Sequence, residues 1–286
     1  MARARRHLDG RVVAITGAGR GIGRATAQAC VRAGMKVSIG DLDLPAAQQT
    51  AADLGDRTIA LELNVCERAS VGRFIDATEN RLGPIDVFIN NAGIMPLAPF
   101  VEEEDAVARR QVDINVHGVL HGMKEALDRM LPRGRGHIVN MASTAGRVGF
   151  AGGATYSGTK HFVVGVSEAV RTELRGSGIE ITCVMPGVVN TELGAGLPQA
   201  RFVGHIEAPM VADAIVAALH SPRFEVYVPR RIGPLSKAGA AVPTVVRDAF
   251  GRLLALDRVL GRPDLDARRS YEQRAARSAG DLESGA

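Results

Sequence analysis

Residues 16–23, Thr16-Gly17-Ala18-Gly19-Arg20-Gly21-Ile22-Gly23, close the β-branched run Val12–Thr16 and open a segment of helical period that begins at Ile22. Glycine turns tightly without steric cost and lets main-chain amides approach an anion. Here it hands the chain to a helix, whose N-terminus carries partial positive charge. A strand, a glycine turn and a helix in that order predict a βαβ unit with a diphosphate-binding crossing. The commonest spacing, G-x-G-x-x-G, fails because Ile22 occupies its last position. What is present is Gly17-x-x-x-Gly21-x-Gly23, a different spacing of the same device.

Working outward, short β-branched runs alternate with helix-period segments from residue 11 to residue 228. The runs Val12–Thr16, Lys36–Gly40, Thr58–Leu63, Ile85–Ile89, His137–Met141, Ile179–Val184 and Glu225–Val228 read as strands buried on both faces. Between them lie helices near 22–33, 45–53, 67–80, 103–131, 154–176 and 209–220, several bounded by Gly or Pro. In 103–131, Val112, Val116, Val119, Leu120, Met123, Leu127 and Met130 recur at a spacing that makes one buried helical face. The fold class expected is α/β: a doubly wound, seven-stranded parallel sheet with helices on both faces, plus a C-terminal helical extension. Residues 1–228 form the main domain and 229–286 the extension.

Composition narrows the function classes. Of 286 residues, 46% are hydrophobic and 23% charged, which excludes a mainly disordered, collagen-like or coiled-coil chain. Net charge is +4, and residues 223–277 alone carry +6, so the basic character belongs to the tail. The cations are overwhelmingly Arg, since only Lys36, Lys124, Lys160 and Lys237 are lysines. With 4% aromatic residues and no Trp there is little to stack on bases, and nucleic acid is not expected as a partner. Cys30, Cys66 and Cys183 are far apart without CxxC or zinc spacing, which suits reduced, packed thiols in a cytoplasmic protein. His117 and His121 have helical i, i+4 spacing but no HExxH, so no metal site is read there. The run Val12–Ile15 is too short for a secretory signal, and no apolar stretch approaches the ~20 residues of a membrane span.

Asp41 ends the second predicted strand, 24 residues after Gly17, where a carboxylate can accept hydrogen bonds from adenosine ribose hydroxyls. Such a carboxylate repels a 2′-phosphate and favours NAD. Arg20 in the glycine turn could pair with that phosphate and leaves NADP open. Farther along, Asn90-Asn91-Ala92-Gly93 follows the fourth strand, Ser143 follows the fifth, and Tyr156-Ser157-Gly158-Thr159-Lys160 opens the next helix. In these elements the sequence resembles the short-chain dehydrogenase/reductase family. Its TGxxxGxG, NNAG, Ser, YxxxK and PG elements occur in family order over about residues 8–228, with 13 residues from Ser143 to Tyr156.

Tyr156 and Lys160, at i and i+4, share a helix face. A cation about 4 Å from a phenol at an effective dielectric of ~20 contributes up to ~4 kcal/mol, enough to bring a pKa of ~10 toward working pH. Tyr156 is therefore expected to move the proton of an alcohol or ketone while hydride moves to or from nicotinamide, with Ser143 bonded to the same oxygen. The resemblance implies further roles. Lys160 holds the nicotinamide ribose, and Asn115 anchors a proton-relaying water chain. Asn64 and Val65 contact adenine, where Asp is commoner than Asn in the family, while Asn91, Ala92 and Gly93 line the adenosine side. Gly17, Arg20, Gly21, Ile22 and Gly23 cradle the diphosphate. The segment from Pro186 meets the carboxamide through the Val189 backbone and the Thr191 hydroxyl.

The same resemblance places substrate beside Ile94, Met95, Pro96 and Leu97, beside Thr144, Arg147, Val148 and Phe150, and under a glycine-bearing loop at 188–208. Most of these are apolar, so a hydrophobic secondary alcohol or ketone is expected. Alternatives are an NADPH-dependent reductase of 3-oxoacyl ketones and a non-catalytic dinucleotide sensor. A homodimer or homotetramer is the expected assembly. The extension departs from the family: Ala240–Leu260 is amphipathic and basic, suited to covering the pocket, packing on a sister subunit or lying on a membrane surface. From about Arg268 onward the chain is expected to be disordered.

Overall fold

A computed structural model describes residues 5–197, 204–234 and 264–277. Strands β1 (Val12–Thr16), β2 (Lys36–Asp41), β3 (Thr58–Glu62), β4 (Ile85–Asn90), β5 (Gly136–Met141), β6 (Ile179–Pro186) and β9 (Glu225–Val228) form one seven-stranded sheet in the order β3-β2-β1-β4-β5-β6-β9. Every neighbouring pair is parallel. The strand order reverses between β1 and β4, and the crevice at the carboxyl ends of these strands is where open α/β sheets take ligands.

Period-two alternation along each strand divides the core into two layers. Val12 and Ala14 of β1, with Phe88 and Ile138, pack with Phe74, Val119, Met123 and Val163. These come from α3 (Arg68–Leu82), α5 (Gly118–Met130) and α6 (Ala154–Glu173). Val13 and Ile15, with Ile39 and Val139, face Ala27, Ala47, Val211 and Ile215. Those belong to α1 (Gly21–Arg32), α2 (Leu44–Leu54) and α7 (Ala208–His220). All seven expected strands form at their expected places. β6 runs two residues farther than expected because Met185 and Pro186 pair with Tyr227 and Val228. A short parallel pair, β7 (Val189–Asn190) and β8 (Ile206–Glu207), ties together the two ends of the 188–208 loop.

Two expectations are corrected. The helix predicted over 103–131 is interrupted: α4 (Asp105–Val112) passes through a π-helical turn at Asp113–His117 before α5 begins. The cause is local, since the Asn115 side chain is drawn inward to bond both backbone groups of Ile94. The expected disorder from about Arg268 gives way, as far as Arg277, to helix α8 (Leu265–Arg277). Arg268, Tyr271 and Ala275, one face of α8, are buried against the main body. The amphipathic segment Ala240–Leu260 lies outside the described residues. Among those described, no helix is long and apolar enough to cross a membrane. Cys30 and Cys183 are buried and Cys66 half-buried, all as free thiols.

Candidate active site

The glycine turn brings β1 directly onto α1. Gly21 has φ +54°, which a side chain would strain, and the nearest atom to a Cβ there is Thr191 Cγ2 at 3.7 Å. A Cβ on Gly23 would collide with the Gly17 carbonyl oxygen and lie 2.6 Å from Asn91 Nδ2. Arg20 is the N-cap of α1 without a side-chain cap bond, and the first turn holds no acidic residue. The leading amides of α1 thus have no side-chain cap, as a diphosphate site requires. Thr191, the residue after β7, thus sits beside the start of α1.

Asp41 closes one end of the cleft. Its carboxylate accepts from the Gly19 amide at 2.9 Å and the Asp43 amide at 3.0 Å. Burial raises its pKa, and the two amide bonds work against that rise. Arg20, the group that could welcome a 2′-phosphate, is instead paired with Asp43 at 2.6 Å. Asn91 knits the cleft floor together, donating from Nδ2 to the carbonyls of Thr16 at 3.0 Å and Gly17 at 2.8 Å. The Asn91 and Ala92 amides both donate to Thr16 Oγ1 at 3.0 Å.

The polar cluster lies farther along the same crevice. Tyr156 and Lys160 are buried on α6, and Ser143 sits just past β5. The Ser143 hydroxyl accepts from the Ala145 amide at 3.1 Å and stands near the Tyr156 phenol, whose pKa it lowers. Lys160 Nζ donates to the Met141 carbonyl at 2.9 Å and lies 5.6 Å from the Tyr156 ring centroid. Burial pushes the phenol up to about 12, which Ser143 offsets only in part, and brings Lys160 down to about 8. Desolvation is the largest cause of both shifts.

Asn115, fully buried in the π turn, accepts from the Ile94 amide at 2.9 Å and donates to the Ile94 carbonyl at 2.9 Å and Thr159 Oγ1 at 3.2 Å. Both of its N–H donors are spent on protein. The Asn115 oxygen and Lys160 Nζ lie 3.1 Å and 3.5 Å from where a Gly93 Cβ would be, so only glycine leaves them facing one another. Asn64 uses its side chain locally, donating to Glu67 at 2.8 Å and accepting from the Cys66 amide at 3.1 Å. Its neighbour Val65 packs on Gly118 and accepts from His121 Nδ1 at 3.0 Å. Pro186 ends β6, and its carbonyl faces the Ser143 hydroxyl at 3.5 Å. Val189 is buried on β7.

Met95, Ala145, Tyr156 and Leu197 form a small apolar cluster, with Leu97, Phe150, Val188 and Leu193 packed on it. The structure thus gathers the glycine turn, Asp41, Asn91, Gly93, Asn115, Ser143, Tyr156, Lys160 and Thr191 along one crevice, while the Asn64 side chain turns away into its own loop. Two residues beside the crevice escaped sequence reading, Arg268 and Tyr271 of α8. Their only sequence signal is an i, i+3 spacing in a short helical stretch.

Known proteins agree with this geometry. The family model for short chain dehydrogenase matches residues 11–201. Sorbitol dehydrogenase of Cereibacter sphaeroides is 40% identical over 203 residues, 71% of this chain and 79% of that protein. A 3beta-hydroxysteroid dehydrogenase of Eggerthella lenta is 33% identical over 206 residues, 70% of this chain and 79% of its own. A short chain dehydrogenase/reductase from Burkholderia phymatum, solved in complex with NAD, superposes with TM-score 0.75 at 27% identity, covering 81% of this chain and 93% of that one. A glycine turn, Ser143 beside the buried Tyr156 and Lys160, and a match over most of the chain lead to one assignment: the chain belongs to the short-chain dehydrogenase/reductase family of NAD(P)-dependent oxidoreductases.

Proposed function

We propose that this enzyme interconverts an apolar secondary alcohol and its ketone using NAD(H), with Tyr156 as the proton-transferring group. The observation that carries this reading is the burial of Tyr156 and Lys160 together on α6, with Ser143 near the phenol and Met95, Ala145 and Leu197 packed around it. The nicotinamide cofactor, when bound, supplies or accepts the hydride. Burial holds Tyr156 protonated at neutral pH, so it is ready to give its proton to a ketone oxygen, while the Ser143 hydroxyl holds the same oxygen. In the reverse direction the phenolate must take the alcohol's proton, so oxidation speeds up as pH rises toward the phenol's raised pKa. In this reading Lys160 holds ribose hydroxyls, and Asn115, bonded to both backbone groups of Ile94, steadies the chain beside the cofactor.

Support for NAD over NADP comes from Asp41 and from the Asp43–Arg20 pair, which leaves the ribose end of the cleft with excess negative charge. The named substrates of the relatives range from a polyol to a steroid. Met95, Leu97, Phe150, Val188, Leu193 and Leu197 favour the apolar end of that range. Following nicotinamide absorbance with cyclohexanol, a 3-hydroxysteroid and sorbitol, each with NAD and NADP, tests the reading. Turnover of the first two with NAD is expected; preference for sorbitol or for NADP overturns the corresponding half.

A further inference from the structure

We propose that helix α8 is a working wall of the substrate pocket and that Arg268 and Tyr271 are positioning residues that set substrate specificity. This inference rests on the site reading above and extends it to a part of the chain outside the 11–201 family match.

Arg268 is 0% exposed, an unusual place for a guanidinium. Its Nη2 donates to the Met95 carbonyl at 2.7 Å, and its Nη1 donates to the carbonyls of Leu193 and Ala195, each at 3.0 Å. Nε donates to Glu272 at 3.0 Å, which balances the charge. One planar fork thus ties the Met95 segment to the segment at Leu193 and Ala195, far apart in sequence. An ammonium, a single point donor on a flexible stem, cannot reproduce that bridge.

Tyr271, three residues on and on the same helix face, completes the hold. Its hydroxyl accepts from the Met95 amide at 2.6 Å, so both backbone groups of Met95 are spent on α8. The Gly196 carbonyl accepts from the Asp264 amide at 2.9 Å, and Arg274 pairs with Glu192 at 2.8 Å. Gly196 has φ +69°, and a Cβ there would lie 2.5 Å from the Asp264 carbonyl, so glycine permits this close approach. Met95, whose backbone these bonds fix, and Leu197, which follows the bonded Gly196, both pack with Tyr156. Helix α8 therefore determines where the apolar walls stand relative to the reacting oxygen, without touching the glycine turn.

The test uses the full chain with Arg268→Met, which keeps bulk but removes the fork, and Tyr271→Phe, which removes only the hydroxyl. Amide hydrogen exchange at Met95 and in residues 192–197 is expected to accelerate at least tenfold in Arg268→Met, and at Met95 alone in Tyr271→Phe. NADH affinity, read by its fluorescence, should stay within about twofold. KM for cyclohexanol or the 3-hydroxysteroid should rise at least tenfold in Arg268→Met while kcat changes less than threefold, with Arg268→Lys no better than Met. Unchanged exchange in both variants overturns the clamp, and accelerated exchange with unchanged KM overturns its role in specificity. If Arg268→Met fails to fold, Tyr271→Phe carries the same decision. A wild-type enzyme that turns over neither alcohol counts against the proposed function, while exchange at Met95 still decides the clamp.

Discussion

The glycine-turn side of the crevice is assembled from residues 16–23 and the adjacent ends of β2 and β4, all within the first ninety-odd residues. The opposite wall draws on residues 94–97, 143–150, 192–197 and 268–271. The first is a local device in which strand, turn and helix dictate one another. The second exists only after long-range packing, because no one of its segments has a conformation of its own to impose. Chemistry sits at the seam, where Tyr156 and Lys160 of α6 meet both sides.

The sharpest break between the two sides is Tyr156→Phe. The change removes a proton donor and little volume, so kcat in either direction should fall about 10²–10⁴-fold. NADH affinity should hardly move, because the glycine turn is untouched. Stopped-flow turnover beside NADH fluorescence titration checks both. A Phe variant with more than a tenth of the activity removes Tyr156 from the mechanism.

Gly23→Ala probes the first side in reverse. The added methyl would meet the Gly17 carbonyl, Ala18 Cα at 2.7 Å and Asn91 Nδ2 at 2.6 Å, two backbone atoms and a side-chain amide tied to the Thr16 and Gly17 carbonyls. A loss of about 1–3 kcal/mol in unfolding free energy is expected from such overpacking. NADH affinity should fall with it, since the α1 N-terminus must shift. Chemical denaturation and NADH titration measure the two effects.

Legibility in the sequence followed the same division. The seven strands, the glycine turn, Asp41 and the Ser–Tyr–Lys cluster were readable because each depends on period, turn chemistry or motif within a short stretch. The π turn was not, since the residues around Asn115 keep helical spacing and only the demand of Ile94's backbone opens the turn. Burial of the Tyr156 phenol was not readable either, because spacing reveals proximity but not desolvation. Arg268 and Tyr271 were hidden for the opposite reason: a polar, Arg-rich stretch near the chain end reads as unstructured until Met95, some 170 residues earlier, is found beside it.

Asp41→Ser tests cofactor choice with a smaller effect. Removing a carboxylate from the ribose end while Arg20 remains should shift the NADPH-to-NADH preference by at least about tenfold, given a Coulomb contribution of about 1–4 kcal/mol at a few Å. Because Ser can still accept from the Gly19 amide, the turn should survive. The ratio of kcat/KM with the two cofactors reads the shift, and an unchanged ratio removes Asp41 as the selector.

His137 offers the mildest and cleanest separation of site from scaffold, because it lies on β5 at the end of the strand remote from Ser143. Its Nε2 is 2.8 Å from Thr182 Oγ1, and that hydroxyl donates its proton to the Arg223 carbonyl at 2.8 Å. Nε2 must therefore carry the ring proton, leaving Nδ1 bare, buried and without a hydrogen-bond partner. Burial first, and then nearby Arg6, bring its pKa down to about 3. The unfolded chain takes up a proton near the ordinary value of 6.5 while the folded protein does not. Stability is therefore complete above that pH and is lost as pH falls toward 3. Because the folded value lies so far below, the first part of the loss is governed by the unfolded state: about 1 kcal/mol by pH 6, rising toward about 1.4 kcal/mol per further pH unit. Replacing His137 with Gln keeps a donor for Thr182 without a titrating ring, and should flatten urea-denaturation stability between pH 7 and pH 5. The pH profile of turnover should keep its shape, since Tyr156 and Lys160 titrate elsewhere. A variant whose acid sensitivity matches the wild type would place the responsible group outside this strand.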